Sequence, residues 1–333
     1  MAYIHVKRVG NKKYYTLRVS VRKGNRIITK DLANLGSDLS KIKIDDLEKK
    51  YHKEIRKSYK TIKKFLDTNY YIEKASKLKL KKDPSLSKEL LIEIEAARIH
   101  YKSKFFKLDE LTKKEIYENF LINFAFNTTS IEGNTITLEE AAKLLQENKT
   151  PKDKTLREIY DLQNTEKVFF ELLDKNKIIN HEFIIHIHDS LMENVDKRKG
   201  YRIHDIRVFR AHFEASPGRY IRADMNILLD WYEKNKKNFH PFVIAAMLHH
   251  KFEKVHPFAE GNGRTGRMLM NYILMRNGYP PFIVRKARRS EYLDALGEGD
   301  KSSIKDMDSK YFKELVKFLA EEMIYSYWNN FLV

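Results

Sequence analysis

The chain has 333 residues, which suggests about two domains and is long enough for a sizeable buried core. Its composition, 42% hydrophobic and 33% charged, fits a globular protein and excludes a membrane class. The absence of cysteine excludes disulfides, thiol catalysis and cysteine-bound zinc. Neither a spanning apolar run nor a signal-peptide pattern occurs, so we expect a cytoplasmic protein without membrane contact.

The positive charge is concentrated near the N-terminus. The whole chain carries +18, and residues 1–100 hold 26 Lys and Arg against 12 Asp and Glu, a net charge of +14. Such asymmetry indicates an acidic partner, most simply nucleic acid. Lys-rich solvated helix faces are the alternative, and the sequence leaves both open.

The first 36 residues predict a small antiparallel sheet. Runs rich in β-branched and aromatic residues cover Tyr3–Val9, Tyr14–Val21 and Ile27–Leu32. Gly10-Asn11 and Gly24-Asn25 separate these runs and are typical of tight hairpin turns. We therefore predict a three-stranded β meander as an accessory region over residues 1–36.

Residues 37–109 predict a basic helical region. Apolar side chains recur every three or four residues from Ile44 to Leu66, as on one face of a long amphipathic helix. Asp83-Pro84-Ser85 interrupts this pattern, and a second helix is expected over Leu86–Phe106.

The remainder of the chain predicts an all-helical body. Thr112-Lys113-Lys114-Glu115 matches a capping box and predicts a helix to about Thr129, and Thr137–Glu140 opens the next helix in the same way. Further helical patterns cover Thr155–Leu173, Asn180–Glu193, Asp224–Lys236, Pro241–Val255, Arg264–Arg276 and Ser309–Tyr325. With only 12 Gly and 7 Pro, the predicted fold class is mainly α with the small meander attached.

The chemistry is concentrated in the loop between two of these helices. Pro257 cannot continue the helix that ends near Val255, so His256 is expected at a helix-to-loop corner. Gly261 and Gly263 let the backbone approach an anion closely, and Asn262 adds a donor. These amides lead into a helix N-terminus, which favours phosphate.

Charged side chains complete the loop. Arg264 and Arg267 lie three residues apart at the helix start, so both are expected to face one anion. Glu260 is placed to hold Mg²⁺, which takes one or two carboxylates together with phosphate oxygens. His256, beside such a phosphate, is a candidate general base for an attacking hydroxyl.

The residues of this segment also resemble two other kinds of site. Gly261, Gly263 and Gly266 fit the dinucleotide pattern G-x-G-x-x-G, but a helix precedes them and no acidic residue follows before Ser290, so we reject that interpretation. His249, Glu253 and His256 share one helix face and are an alternative metal site, although no H-E-x-x-H arrangement is present.

The segment His256–Arg267 matches every specified position of H-x-F-x-[D/E]-G-N-G-R-x-x-R. In this it resembles the Fic family, and the likeness covers about residues 110–325. The resemblance implies an all-α catalytic core over residues 176–325. An N-terminal extension with an inhibitory helix would cover residues 110–175.

The resemblance also implies an activity, namely transfer of AMP from ATP to a protein hydroxyl, including self-modification. His256 would be the catalytic base and Glu260 the Mg²⁺ ligand. The implied nucleotide-binding residues are Gly261, Asn262, Gly263, Arg264, Thr265, Gly266, Arg267 and Tyr292. A target-positioning flap is expected within about Val208–Arg219. The related Doc type transfers phosphate instead, and glycines at 261 and 263 favour adenylyl transfer.

A second element matches the family's inhibitory pattern [S/T]-x-x-x-E-[G/N]. It runs from Thr128 to Gly133 and implies that Glu132 keeps the enzyme inactive. Two alternatives stay open, namely removal of AMP from a modified protein, and a partner- or nucleic-acid-binding module with a silent core. The expected partners are ATP and a protein substrate, with nucleic acid at residues 1–100; a homodimer is left open.

Overall fold

The computed structural model describes residues 1–10, 12–174, 176–208 and 214–332. Its N-terminal part is a three-stranded antiparallel sheet in the order β1-β2-β3, as the meander predicts. The strands are β1 (Ala2–Val9), β2 (Lys12–Lys23) and β3 (Arg26–Gly36), and β2 and β3 are longer than predicted. The fold class is therefore confirmed as mainly α with a small attached sheet.

The helices follow the sheet in chain order. They are α1 (Ile44–Ile55), α2 (Tyr59–Ser76), α3 (Lys88–Ser103), α4 (Glu110–Ile131), α5 (Leu138–Glu147), α6 (Leu156–Asp174), α7 (His181–Leu191), α8 (Ile221–Asn235), α9 (Pro241–Val255), α10 (Asn262–Arg276), α11 (Arg289–Gly299) and α12 (Lys313–Asn330). Within the described ranges, no helix is both long and apolar enough to cross a bilayer.

The single long helix expected from Ile44 to Leu66 is wrong, because the chain breaks it in two. A short 3₁₀ turn at Arg56–Ser58 separates α1 from α2, and Tyr51 already leaves helical geometry, with φ −128°. The Tyr51 hydroxyl donates to the carbonyl of Leu32 at 2.9 Å and so ties α1 to β3. Contact with the sheet therefore overrides the helical periodicity.

The start of α4 also differs from its prediction. Asp109, rather than Thr112, caps the helix and accepts from the Thr112 amide at 2.9 Å and the Thr112 hydroxyl at 2.7 Å. An Asp three residues upstream is the stronger acceptor and takes the Thr112 hydroxyl as a donor. The second capping box is confirmed, with Thr137 and Glu140 bonded reciprocally.

The apolar residues form two main clusters. The smaller N-terminal core joins the sheet to α1 and α2 through Leu17, Ile55 and Ile62. The larger core takes residues from the helices that follow. Helix α2 reaches both cores, since Tyr71 and Ala75 at its C-terminal end lie in the larger one.

Helix α3 packs into the larger core. Ile94 and Ala97 are fully buried there, and His100 Nδ1 lies 2.6 Å from the Tyr327 hydroxyl on α12. Glu95 is buried against Tyr279 and His240. The sequence-based boundaries at residues 36, 109 and 175 stay predictions, but the packing couples residues 88–103 to the helical body.

This packing predicts how shortened chains behave. A chain beginning at Phe105 lacks α3, which exposes the core surface around Tyr327, and we expect it to show no cooperative thermal transition. The matched control begins at Tyr59, keeps α2 and α3, and is expected to unfold cooperatively. Circular dichroism melting of both chains checks this, and a cooperative transition in the Phe105 chain would contradict the assignment of α3 to the core.

Candidate active site

His256 sits in a left-handed conformation at the end of α9, with φ 51° and ψ 60°. A non-glycine residue there costs on the order of 1–3 kcal/mol, so surrounding contacts must enforce it. Pro257 follows and cannot continue the helix. Arg202 holds the corner, because its Nε donates to the His256 carbonyl at 2.8 Å and its amide to the Pro257 carbonyl at 2.9 Å.

The hydrogen bonding of His256 fixes its tautomer. Its Nδ1 lies 3.1 Å from the carbonyl oxygen of Glu253. A carbonyl oxygen only accepts, so Nδ1 carries the proton and Nε2 keeps the lone pair. Burial lowers the pKa of His256 and outweighs the opposing effect of that carbonyl. The imidazole is therefore neutral near pH 7 and able to accept a proton at Nε2.

Asn262 has a structural task in the loop. Its Oδ1 accepts from the Phe258 amide and its Nδ2 donates to the Phe258 carbonyl, both at 2.9 Å. The Phe258 ring stacks on His188 with centroids 3.6 Å apart, and His188 Nε2 donates to the Glu260 carbonyl at 3.0 Å. The Asn262 side chain, which was expected to donate to an anion, therefore holds the shape of the loop instead. Only the backbone amide of Asn262 is left for an anion.

The start of α10 is open toward this loop. Gly261 occupies the cap position with φ 77° and supplies no side-chain cap. A β-carbon at Gly261 would lie 2.6 Å from Met192 Sδ, so the site admits only glycine. Gly261, Asn262 and Gly263 line a common cavity, and the helix N-terminus beside them provides unpaired amides.

The two arginines of the loop face different partners, although both were expected at one anion. Arg264 is buried and pairs with Asp161 on α6, and its Nη2 also lies 3.4 Å from Met192 Sδ. Arg267 pairs with Glu132 at the end of α4. Each guanidinium has its own carboxylate on a different helix, which separates the two charges in this conformation.

Arg267 makes three hydrogen bonds to the end of α4. Its Nε donates to Thr128 Oγ1 at 2.8 Å, and its Nη2 donates to the Thr128 carbonyl at 2.9 Å and to Glu132 Oε1 at 2.7 Å. Burial alone would raise the pKa of Glu132, but the charge and hydrogen bond of Arg267 hold that pKa below its usual range. A β-carbon at Gly263 would collide with the Glu132 carboxylate.

A cavity of about 370 Å³ connects these groups. Its lining includes Glu132, Glu253, His256, Glu260, Gly261, Asn262, Gly263, Arg267, Tyr292, Leu293 and Leu296. One side is polar, from α4 and the loop, and the other is more apolar, from α11. The Tyr292 hydroxyl lies 2.6 Å from His249 Nε2 at the floor. Arg264, Thr265 and Gly266, which the resemblance implies as nucleotide-binding residues, are not among the described residues that line this cavity.

Thr265 and Gly266 instead stabilise α10. Thr265 is fully buried and its hydroxyl donates to the Gly261 carbonyl at 2.9 Å. A β-carbon at Gly266 would lie 2.6 Å from Glu253 Oε1 and 2.9 Å from His249 Nδ1. Gly266 therefore permits close packing of α10 on α9.

Glu260 lies at the cavity edge and is held by arginines. Its carboxylate pairs with Arg157 on α6, and Arg198 Nη2 lies 4.0 Å away. The side chain is 37% exposed, so the carboxylate stays reachable from the cavity. One carboxylate beside a phosphate cradle is a donor set that suits Mg²⁺, provided that Arg157 moves aside.

Comparison with known proteins agrees with this geometry. Residues 178–274, which include the His256–Arg267 loop, match the Fic/DOC family. The chain contains a Fic/DOC domain. A protein adenylyltransferase Fic of Aedes aegypti is 34% identical over 219 residues, which cover 63% of this chain and 40% of that protein. A protein adenylyltransferase Fic of Nematostella vectensis is 30% identical over 233 residues, which cover 68% of this chain and 54% of that protein. The chain thus spans about half the length of these relatives or less.

Solved structures share the architecture. A Fic domain-containing signaling protein of Bacteroides thetaiotaomicron superposes with a TM-score of 0.64 and 25% identity, covering 71% of this chain and 94% of that chain. Fic-1 of Caenorhabditis elegans, residues 134–508, superposes with a TM-score of 0.59 at 23% identity, covering 86% and 84%. At this identity, the likeness to Fic-1 shows a shared fold.

The alternative metal site in the Fic domain does not assemble. His249 Nδ1 is 3.9 Å from Glu253, but His249 Nε2 is bonded to Tyr292 and His256 Nδ1 to a backbone carbonyl. Across the described ranges, no three His, Cys, Asp or Glu side chains are grouped around a metal position.

Several site residues were missed by sequence reasoning. Arg157, Asp161 and Arg202 each contact the loop from more than 50 positions away, and no local pattern marks them. The expected flap at Val208–Arg219 falls partly on residues 209–213, which lie outside the described residues. In the described part of this segment, the Ser216 carbonyl accepts a hydrogen bond from Arg202. Arg202 also donates to the carbonyl of His204, before the segment, at 2.7 Å.

Glu253 of the Fic domain gives a pH-dependent prediction. Burial raises the pKa of Glu253 to about 8, and its Oε1 has no hydrogen-bond partner. The folded chain then retains a proton that the unfolded chain loses above its ordinary pKa of about 4.3. Stability should fall as pH rises from about 5 to 8, by at most about 1.4 kcal/mol per pH unit.

The measurement compares urea unfolding of wild type and Glu253→Gln at pH 5 and pH 8. Gln keeps the shape without the titration, so the variant should gain stability relative to wild type at pH 8. An identical pH profile for the two chains would contradict a neutral buried Glu253.

Proposed function

We propose that this chain is a protein adenylyltransferase that transfers AMP from ATP to the hydroxyl group of a protein. One observation carries the proposal. His256 presents an unprotonated Nε2 on the same cavity that the open N-terminus of α10 lines. The names of the Aedes and Nematostella relatives support this reaction class.

The reaction requires a general base and a phosphate cradle. The attacking hydroxyl oxygen forms a bond to the α-phosphorus, the bond from that phosphorus to the β-phosphate bridging oxygen breaks, and pyrophosphate leaves. His256 Nε2 takes the hydroxyl proton. The amides of Gly261, Asn262 and Gly263 and the α10 dipole stabilise phosphate charge. Tyr292, Leu293 and Leu296 supply the more apolar side, which suits the adenine ring.

Glu260 would hold Mg²⁺, which would neutralise phosphate charge when bound. In the structure, the Glu260 carboxylate forms an ion pair with Arg157, and Arg198 Nη2 lies 4.0 Å from it. Arg157 would compete with the ion for the same oxygen atoms of Glu260. The carboxylate is therefore free for Mg²⁺ only when Arg157 moves away.

We further propose that Glu132 inhibits the enzyme. It engages Arg267 on the cavity wall, and its carboxylate adds negative charge where phosphate would bind. Removal of AMP from a modified protein uses the same cavity and remains the alternative. The protein substrate, with the chain itself as one target, and the cytoplasmic location stay predictions. A homodimer stays open.

The first test concerns the base. General-base catalysis contributes about 10²–10⁴-fold, so His256→Ala should lose nearly all self-labelling from α-labelled ATP. Intact mass gives the reaction class, because adenylyl transfer adds one AMP. Wild-type labelling in the variant would exclude His256 as base, and label from γ-labelled ATP would indicate phosphate transfer.

The second test concerns the inhibitory contact. Glu132→Gly frees Arg267 and removes negative charge from the cavity, so self-labelling with ATP should rise at least about tenfold. Glu140→Gly is the control, since Glu140 is a cap of α5 outside the cavity lining. Equal rates for wild type and Glu132→Gly over a range of ATP concentrations would refute the inhibition.

The third test concerns the metal. Glu260→Gln should abolish the response of labelling to added Mg²⁺. Arg157→Gln frees the carboxylate and should lower the Mg²⁺ concentration for half-maximal rate. Both variants are assayed in the Glu132→Gly background by Mg²⁺ titration. An unchanged Mg²⁺ dependence in Glu260→Gln would contradict the ligand assignment.

A further inference from the structure

The N-terminal sheet is covered by helices on one face only. Tyr15 and Leu17 are buried on the inner face with Ile55, Ile62 and Leu66 of α1 and α2. Side chains alternate along a strand, so the residues between these point away from the helices. The outer face includes Tyr3, Lys7, Lys12, Tyr14, Arg18 and Arg22. The strand register places Tyr3 opposite Arg18 and Lys7 opposite Tyr14.

The sheet and the helical segment behind it have the same net charge of +8, but the sheet carries it in about half as many residues. Residues 1–36 contain nine Lys and Arg and one acidic residue, Asp31, whereas residues 37–109 contain 20 Lys and Arg against 12 Asp and Glu. Mixed charges on helices are typical of solvated faces, with pairs such as Lys77 and Glu73. The one acid of the sheet is neutralised by Arg18 at 2.6 Å. The sheet therefore keeps an almost uncompensated positive charge.

The outer face also exposes aromatic and apolar groups between its cations. Tyr3 and Tyr14 are 37% and 38% exposed, and Ile27, opposite Arg22, is 75% exposed. Cations suit phosphates, while rings and methyl groups suit base edges and thymine methyl groups.

The shape of the sheet favours one kind of nucleic acid. Neighbouring strands lie about 4.8 Å apart, so three strands span roughly 10 Å. The major groove of B-form DNA is about 12 Å wide, comparable with this span, and admits a two-stranded β-ribbon, whereas the major groove of duplex RNA is too narrow for side chains to read.

We propose that the outer face of the N-terminal sheet binds duplex DNA, with Lys7, Lys12 and Arg22 contacting phosphates. This goes beyond the adenylyl transfer chemistry, because the face lies on the small N-terminal core rather than at the His256 cavity. The outer face carries four of the nine cations of the sheet, namely Lys7, Lys12, Arg18 and Arg22, so it accounts for part of the charge asymmetry of the chain.

The test measures binding of the full chain to a fluorescein-labelled 24-base-pair DNA duplex by anisotropy at 50, 100 and 200 mM salt. Each phosphate contact adds about −0.9 to the slope of log K against log salt. The triple variant Lys7→Gln, Lys12→Gln, Arg22→Gln should reduce the magnitude of this slope by about 3 and weaken binding at least about tenfold at 100 mM salt. These three side chains are exposed, so folding is preserved and is checked by thermal melting.

A matched control removes the same charge from α1 and the turn after it. Lys49→Gln, Lys53→Gln, Lys57→Gln changes three exposed lysines away from the outer face and should bind DNA like wild type. Equal weakening by both triple variants would show attraction by net charge and overturn the assignment. Absence of binding at 50 mM salt, equal affinity for duplex RNA, or binding to phosphatidylserine vesicles without DNA binding would overturn it as well.

Discussion

The salt bridge between Arg267 and Glu132 joins the end of α4 to the wall of the cavity, and the proposed inhibition depends on it. Arg267 is 2% exposed and lies on α10, whose N-terminus lines the cavity. Thr128 and Glu132 come from the end of α4, more than 130 positions away in the chain. A buried guanidinium needs such partners, since leaving it unpaired costs about 3–5 kcal/mol. The contact thus stabilises α4 on the domain and places a carboxylate in the cavity by the same interaction.

The end of α4 has further attachments that make this contact specific. Arg289 Nε donates to the Ile131 carbonyl at 2.8 Å, and the Lys286 amide donates to Asn127 Oδ1 at 2.8 Å. These bonds satisfy groups on the last turns of α4 and connect them to the segment before Tyr292. The Glu132 carboxylate and the more apolar side of the cavity therefore share one anchoring segment. Release of Glu132 must leave these bonds intact or break them together.

The catalytic loop depends on a second set of constraints. His256 is held in a left-handed conformation by Pro257 and by Arg202, and the Asn262 side chain closes the turn on Phe258. Residues that a sequence pattern identifies with nucleotide binding thus divide into two groups. Gly261, Gly263 and Arg267 reach the cavity, whereas Thr265 and Gly266 give the helix its shape.

The sequence predicted those parts of the fold that rest on local patterns. The loop from His256 to Arg267, the capping box at Thr137 and the helix Pro241–Val255 are marked by residue patterns that are local in the chain. Helix α11, which carries Tyr292, was missed because Gly297 and Gly299 weaken its helical pattern and packing on α12 stabilises it. The partners Arg157, Asp161 and Arg202 were missed for a similar reason, since only the folded chain brings them to the loop.

The most direct measurement of the central contact is the affinity of the cavity for nucleotide. Isothermal titration calorimetry with a non-hydrolysable ATP analogue compares wild type, Glu132→Gln and Glu132→Gly. A charged hydrogen bond is worth about 1.5–3 kcal/mol, so both variants should bind the analogue about 10- to 100-fold more tightly than wild type. Equal affinities in all three proteins would contradict the claim that the Glu132–Arg267 salt bridge closes the nucleotide site.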